Sequence, residues 1–225
     1  MIAARWQSVR AEVDRIARAA GRAAEDVTVV AVSKLQPAAA ITEAVAAGVR
    51  DVAENYAQEL VAKTEELKAL DVRWHFIGKL QRNKARMVVG RAALIHAVDS
   101  LELAQEIDKR ARAAEVVQEI LVAVNTGGEA QKTGVAPGET ASLLDAIGAL
   151  AGVKVRGLMT MPPWPENPED SRPYFRALRE LRDSLGRDLP DLSMGTSGDY
   201  AVAIEEGATL VRIGTAIFGE RPTTT

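Results

Sequence analysis

The sequence contains no cysteine and only two histidines among its 225 residues. The first absence excludes disulfide bonds, thiolate metal ligands and thiol catalysis, and the second argues against a histidine-rich metal centre. No run of about 18 apolar residues occurs, so no segment is predicted to span a membrane. The N terminus also lacks a signal-peptide pattern. We therefore expect a cytoplasmic protein.

Neither sign of charge dominates the chain, because 28 Lys and Arg oppose 31 Asp and Glu. Binding to a nucleic-acid backbone draws on a surplus of cations, so no nucleic-acid partner is expected. Hydrophobic residues make up 47% of the chain, which is enough for one large core. The length is short for two full-sized domains. We predict a single domain over residues 1–225.

The N-terminal segment and the rest of the chain show different hydrophobic patterns. Apolar residues spaced by three and four from Ile2 to Ala20 predict a packing helix over residues 1–21 that stops at Gly21. Beyond it, short β-rich runs alternate with helical stretches. The runs are 28–34, 51–55, 73–78, 93–98, 119–125, 154–161, 192–195 and 209–214.

This alternation predicts an α/β fold, a single (β/α)8 TIM barrel over residues 28–219 with the extra N-terminal helix. An open doubly wound sheet is the alternative, although no G-x-G-x-x-G follows the first run. The runs lack a polar alternation, as expected for parallel strands covered by helices. The proline-rich segment 162–173 is interpreted as a loop entering a helix at 174–187, because the alternation resumes after it.

Lys34 follows the first predicted strand, and TIM-barrel chemistry gathers at the C-terminal ends of the strands. Its position alone favours a lysine whose ammonium group reaches solvent. The alternative is an amine in a partly desolvated barrel mouth. Burial there would lower the lysine pKa and supply the neutral amine that forms a Schiff base with an aldehyde.

Small and hydroxyl-bearing residues follow the seventh and eighth runs, where TIM barrels often bind phosphate. Gly214 lets the backbone approach a ligand, and Ser197 and Thr215 add hydroxyl donors. Two ordinary tight turns are the alternative. Arg212 either pairs with a carboxylate or donates to a pyridine nitrogen, which would keep that nitrogen unprotonated.

His75 lies between Trp74 and Phe76, whose side chains point to the opposite face of the strand. If the aromatic side chains pack beneath helices, His75 points into the barrel, where a structural role is the alternative to a functional one. His96 has no supporting neighbour in the sequence and is interpreted as structural.

Five stretches taken together resemble the YggS/PROSC family of pyridoxal-phosphate homeostasis proteins. They are AVSKLQP (31–37), ENYAQEL (54–60), WHFIGKLQRNK (74–84), RGLMTMP (156–162) and the long segment 192–221. The resemblance extends from about residue 5 to residue 221. It implies an alanine-racemase-like, fold-type III barrel that holds pyridoxal 5′-phosphate (PLP) as an internal aldimine and buffers or delivers it.

The same resemblance implies a set of cofactor-binding residues and neither a catalytic residue nor a metal. The set comprises Lys34, Asn55, His75, Ser197, Arg212, Gly214 and Thr215. In this set Lys34 forms the Schiff base and Arg212 faces the pyridine nitrogen. The remaining residues hold the phosphate or line the pocket.

Three functions are compatible with these residues. The resemblance favours a monomeric PLP carrier whose partners are PLP and PLP-requiring apo-enzymes. A PLP-dependent amino-acid racemase and a cofactor-free phosphosugar enzyme are the alternatives. Racemisation needs a base on each face of the cofactor. In the racemases that the family resembles, the second base is a tyrosine of a C-terminal β-domain. This sequence ends a few residues beyond the eighth run, so we expect no substantial racemase activity.

Overall fold

The computed structural model describes residues 1–128 and 134–220. Arg221, the last residue of the resembling segment 192–221, lies outside the described residues together with the four residues that follow it. The strands are β1 (Thr28–Val32), β2 (Asp51–Glu54), β3 (Arg73–Phe76), β4 (Leu94–Val98), β5 (Gln118–Ala123), β6 (Val153–Met159), β7 (Asp191–Thr196) and β8 (Leu210–Ile213). The helices are α1 (Ile2–Ala19), α2 (Ala38–Ala46), α3 (Ala57–Glu66), α4 (Ala85–Val88), α5 (Leu101–Ala113), α6 (Thr140–Gly148), α7 (Arg172–Ser184), α8 (Tyr200–Glu205) and α9 (Thr215–Phe218).

The eight strands form a closed barrel in chain order, with every neighbouring pair parallel. The closing pair joins β1 to β8, where Val30 lies opposite Arg212. The predicted TIM barrel is confirmed, and the open sheet is wrong. Every predicted strand is present, with ends that differ by a few residues from the sequence prediction.

The barrel has an inner and an outer layer of buried side chains, because successive residues of a strand point to opposite faces. Trp74 and Phe76 pack in the outer layer beneath the helices. His75, between them, points inwards as expected and is fully buried. Val30 and Leu121 belong to a smaller apolar cluster inside the barrel.

The predicted N-terminal helix is present as α1, and it packs against α2, α8 and α9. Its buried stripe runs through Val9, Val13 and Ile16. Ala17 completes the stripe, whereas Ala20, which the spacing placed on it, is exposed. The difference arises because α1 ends at Ala19, so Ala20 is no longer part of the helix.

The connection between β6 and α7 carries the proline-rich segment, and it is a loop of the barrel. Ser100 caps α5, with its hydroxyl oxygen accepting the Leu103 N–H. Across the described parts of the chain, we find no helix with the length and apolar character that a membrane crossing requires.

Candidate functional site

The C-terminal ends of β1, β2, β3, β6, β7 and β8 enclose a cavity of about 400 Å³, within the usual range for small-molecule sites. Six of the seven residues predicted to bind a cofactor line it: Lys34, Asn55, Ser197, Arg212, Gly214 and Thr215. They follow different strands and meet because all strand ends of a parallel barrel face the same way. The structure thus brings these six residues together, and their individual roles stay predictions.

Lys34 lies in the turn between β1 and α2 and is partly buried. Leu35, the next residue, has a φ of 61°, an uncommon conformation for a residue with a side chain. Its N–H donates to Glu59 Oε2 at 2.9 Å, and the Gln36 N–H donates to the Ser33 carbonyl at 3.0 Å. Hydrogen bonds therefore hold the lysine turn in a conformation that it would not favour in isolation.

A buried ion cluster lies beneath the lysine turn. The Lys63 ammonium of α3 donates to Glu54 Oε1 at 2.7 Å, to Glu59 Oε2 at 2.9 Å and to the Ser33 carbonyl at 2.9 Å. These contacts use all of its donors. Burial raises the pKa of Glu54, even though its bonds from Lys63 and Ser33 act in the opposite direction. The cluster joins the ends of β1 and β2 to α3.

The turn after β7 is held by one carboxylate. Asp199 Oδ1 accepts the Thr196 N–H at 2.7 Å and the Thr196 hydroxyl at 3.0 Å, while Oδ2 accepts the Ser171 hydroxyl at 2.8 Å. Gly195 has a φ of 89°, and a Cβ there would lie 2.5 Å from that of Ala203. The turn that carries Ser197 is thus fixed by both a carboxylate and a glycine.

The turn after β8 lies against both the β7 turn and the lysine strand. The Gly214 N–H donates to Ser197 Oγ at 3.2 Å. A Cβ at Gly214 would lie 3.3 Å from the carbonyl oxygen of Val32 in β1. The absence of a side chain at Gly214 therefore allows β8 to end close to β1. Thr215 is the first residue of α9, lines the cavity and is exposed.

Arg212 is a buried cation with neutral hydrogen-bond partners. Its Nη1 donates to Ser193 Oγ at 2.6 Å, and its Nη2 donates to the Thr160 carbonyl at 3.0 Å. Burial lowers its pKa to about 10, although the charge of Asp199 acts in the opposite direction. At neutral pH the guanidinium is still protonated and can only donate hydrogen bonds to a ligand.

Asn55 follows β2 and presents an unsatisfied acceptor. Its side-chain oxygen Oδ1 is buried and, within the described part of the chain, has no hydrogen-bond partner. Gly78, after β3, packs on the same turn, since a Cβ there would lie 2.0 Å from the Asn55 carbonyl oxygen. A buried acceptor at a cavity wall is costly unless a ligand or water donates to it.

His75 is not among the residues that line the cavity, and its part in cofactor binding stays a prediction. His75 is fully buried in the barrel interior, with Nε2 2.9 Å from Asp51 Oδ1 and Nδ1 2.9 Å from His96 Nε2. Asp51 is the first residue of β2, so His75 points away from the cavity end of the barrel. His96, for which the sequence offered no partner, contacts both His75 and Ser193.

Sequence analysis missed two apolar residues at the cavity rim. Met161 and Trp164 follow β6 and line the cavity, and the Trp164 side chain is 78% exposed. The signal was available, because the proline-rich segment 162–173 comes directly after a strand end on the mouth side. An exposed tryptophan beside a cavity offers a surface on which a flat ligand could stack.

Known proteins of one family are similar to this chain over nearly its whole length. Residues 6–222 match the family model of the alanine racemase N-terminal domain. A pyridoxal phosphate homeostasis protein of Aquifex aeolicus is 49% identical over 96% of this chain and 97% of its own length. A protein of the same name from Pseudomonas aeruginosa is 43% identical over 98% of this chain and 96% of its own length.

Solved structures agree with this family. PipY of Synechococcus elongatus, determined with PLP bound, superposes with a TM-score of 0.85 at 36% identity and covers 97% of this chain and 100% of its own. Alanine racemase of Clostridium difficile shares the fold, with a TM-score of 0.74 at 16% identity over 88% of this chain and 56% of its own. The chain therefore belongs to the alanine racemase N-terminal domain family and, within it, to the pyridoxal phosphate homeostasis proteins.

Proposed function

We propose that this chain binds PLP in the cavity at the strand ends, holds it covalently through Lys34, and buffers or delivers it to PLP-requiring apo-enzymes. One observation carries the proposal: a lysine amine, a buried guanidinium and two hydroxyl-bearing turns line a single cavity. An amine can bond an aldehyde, while hydroxyl and N–H groups can hold a phosphate. PLP combines both of these groups with a pyridine ring.

The residues present fit PLP in the chemistry of their donors. When bound, PLP supplies an aldehyde whose carbon forms a double bond to a neutral lysine nitrogen, with the aldehyde oxygen leaving as water. Lys34 provides that nitrogen, and Ser197, Gly214 and Thr215 provide donors for the phosphate. Arg212 donates to the ring nitrogen, and the unsatisfied Asn55 oxygen accepts from a ligand donor.

The names of the relatives support a role in cofactor homeostasis. The proteins of Aquifex aeolicus and Pseudomonas aeruginosa are named for pyridoxal phosphate homeostasis, and PipY has been solved with and without PLP. Their similarity extends over nearly the whole of this chain. We therefore extend both PLP binding and the homeostasis role to this chain.

We further propose that the bound cofactor is not used for racemisation. Among the described residues that line the cavity, Lys34 is the one amine, and no carboxylate, imidazole or phenol accompanies it. Tyr200 packs towards α1 instead, and Tyr174 lies near Gly127. Tyr56 lies in a neighbouring groove and is half exposed. Arg212 is protonated and donates a hydrogen bond to the ring nitrogen, so this nitrogen stays unprotonated. An unprotonated ring is a weaker electron sink.

Absorbance spectroscopy with a matched pair of variants tests the binding proposal. The purified chain mixed with PLP should develop the visible band of the lysine-bound cofactor, and borohydride should fix the adduct on Lys34. Lys34→Ala should lose the band while remaining folded. Lys79→Ala, an exposed lysine beside the neighbouring groove, should keep it. A borohydride-fixed adduct on any other lysine, or no band at all in the wild type, would overturn the assignment.

A deuterium-exchange experiment tests the absence of racemase activity. The PLP-loaded protein is incubated with L-alanine and other L-amino acids in deuterated buffer. We expect neither racemisation nor α-deuteration at rates typical of enzymes, because among the described residues that line the cavity none offers a second base. Rapid exchange that disappears in Lys34→Ala would favour the racemase instead.

A further inference from the structure

Four hydrogen bonds join five side chains into a line through the barrel interior. Arg212 Nη1 lies 2.6 Å from Ser193 Oγ, which lies 2.8 Å from His96 Nδ1. His96 Nε2 lies 2.9 Å from His75 Nδ1, and His75 Nε2 lies 2.9 Å from Asp51 Oδ1. We call these five residues the interior chain. It runs from the cavity to the first residue of β2, near the opposite end of the barrel.

Between the cavity and Asp51, the interior chain is shielded from water. Arg212, Ser193, His96 and His75 are all buried. The Asp51 side chain is 18% exposed and lies 4.0 Å from the Arg73 guanidinium. The buried part therefore has no solvent with which to exchange hydrogen-bond partners, so each donor must find its acceptor within the protein.

The two ends of the interior chain fix the direction of every hydrogen bond within it. A guanidinium only donates and an ionised carboxylate only accepts. Asp51 therefore accepts a hydrogen bond from the His75 Nε2–H, which leaves His75 Nδ1 as the acceptor of the His96 Nε2–H. His96 Nδ1 is then bare and accepts the Ser193 hydroxyl proton. Ser193 Oγ in turn accepts the Arg212 Nη1–H, so all four bonds donate towards Asp51.

If the hydrogen bonds between His75, His96 and Ser193 pointed the other way, the Ser193 hydroxyl would lose its acceptor. If His75 carried a proton on both nitrogens, His96 would donate from Nδ1 to Ser193 Oγ. The hydroxyl would then accept from both His96 and Arg212, and its own proton would have no acceptor among the described residues. Complete burial above all, and the charge of Arg212 besides, hold the pKa of His96 well below its usual range. The missing acceptor argues against a doubly protonated His75, and the lowered pKa argues against a charged His96.

We infer that His75 and His96 are positioning residues that hold Ser193 as an acceptor for Arg212, and thereby fix the guanidinium that faces the ligand ring. Ser193 can also donate, so a free hydroxyl could rotate its proton towards Arg212 and repel it. The bare His96 Nδ1 prevents this rotation, because it accepts the hydrogen bond from the Ser193 hydroxyl. Successive bonds that point the same way also strengthen one another in a dry interior. The inference rests on the proposed function only for the identity of the ligand.

Histidine tautomers in the ligand-free protein test the direction of the interior chain. The sequence has two histidines, so a protein without a histidine tag and with isotope-labelled histidine gives an uncrowded nitrogen spectrum. We expect both rings to be neutral at neutral pH, with the proton on Nε2 and a bare Nδ1. A proton on Nδ1 of either ring, or a His96 ring that titrates like a free histidine, would overturn the inference.

Ligand binding by matched variants tests the effect on Arg212. His96→Leu should weaken PLP binding about tenfold, the value of one hydrogen bond to a charged group, and shift the spectrum of the bound cofactor. His96→Gln, which retains one acceptor and one donor, should restore most of both. Gln118→Leu is the control, because Gln118 is equally buried and hydrogen bonded but lies outside the interior chain.

The outcomes separate this inference from the proposed function. Equal effects of His96→Leu and Gln118→Leu, or no effect of His96→Leu, would overturn the positioning role. If His96→Leu does not fold, His96→Gln and the tautomers still decide the question. Failure of the wild type to bind PLP would overturn the proposed function, while the histidine tautomers would still report the direction of the hydrogen bonds.

Discussion

Replacing Lys63 with methionine removes the cation from the buried ion cluster beneath the lysine turn. Glu54 is 0% exposed and, among the described residues, would keep only Ser33 as a hydrogen-bond partner. Breaking a buried ion pair by removing one partner costs about 3–5 kcal/mol, because the remaining charge stays buried and uncompensated. We expect Lys63→Met to lower the free energy of unfolding by about this amount.

The loss should depend on pH in a direction that the burial of Glu54 sets. Burial already raises the pKa of Glu54, and without Lys63 the carboxyl group will bind a proton more readily still. A raised pKa in the folded state means that protonation stabilises the fold. The deficit should therefore be full above the folded-state pKa, and shrink as the pH falls towards the ordinary glutamate value of about 4.3.

Urea denaturation followed by circular dichroism at several pH values measures this loss. Lys68→Met is the matched control, because the Lys68 side chain is 72% exposed and the change should alter stability by less than about 0.5 kcal/mol. The double variant Lys63→Met, Glu54→Gln should recover much of the deficit, since it removes both buried charges. A deficit below about 1 kcal/mol that does not vary with pH would refute the reasoning.

Two further predictions concern the turns at the cavity. Gly195→Ala should destabilise the fold by more than about 2 kcal/mol, because its Cβ would lie 2.5 Å from that of Ala203 at a φ of 89°. Gly198→Ala is its control, since its Cβ would meet only a tryptophan ring at 3.6 Å; equal thermal shifts would contradict the steric argument. Ser197→Ala and Thr215→Val should each weaken PLP retention by about 1.5–3 kcal/mol, the value of a hydrogen bond to a charged group. Equilibrium dialysis measures this, and unchanged affinity in the double variant would place the phosphate elsewhere.

The order of strands and helices was predictable from the sequence because it depends on local patterns. Short apolar runs that alternate with amphipathic stretches determine a parallel β/α topology, whichever residues fill the core. The same rule placed Lys34, Ser197 and Arg212 at one end of the barrel, since each follows or ends a predicted strand. Six predicted residues accordingly line one cavity.

His75 shows where this local reasoning stops. Alternation along β3 correctly turned its side chain into the barrel, beneath the outward-facing Trp74 and Phe76. It could not give the height of the side chain along the barrel axis. That height depends on the tilt and stagger of all eight strands, which belong to the closed barrel as a whole.

Sequence alone therefore determined the fold class, the strand order and the end of the barrel that carries the candidate site. The tertiary structure decided which inward-facing side chains meet, including the contact of His96 with Ser193 and of Lys63 with Glu54. The reason is physical. Periodicity is a property of neighbours along the chain, whereas a buried hydrogen bond between strands depends on a register that only closure of the barrel sets.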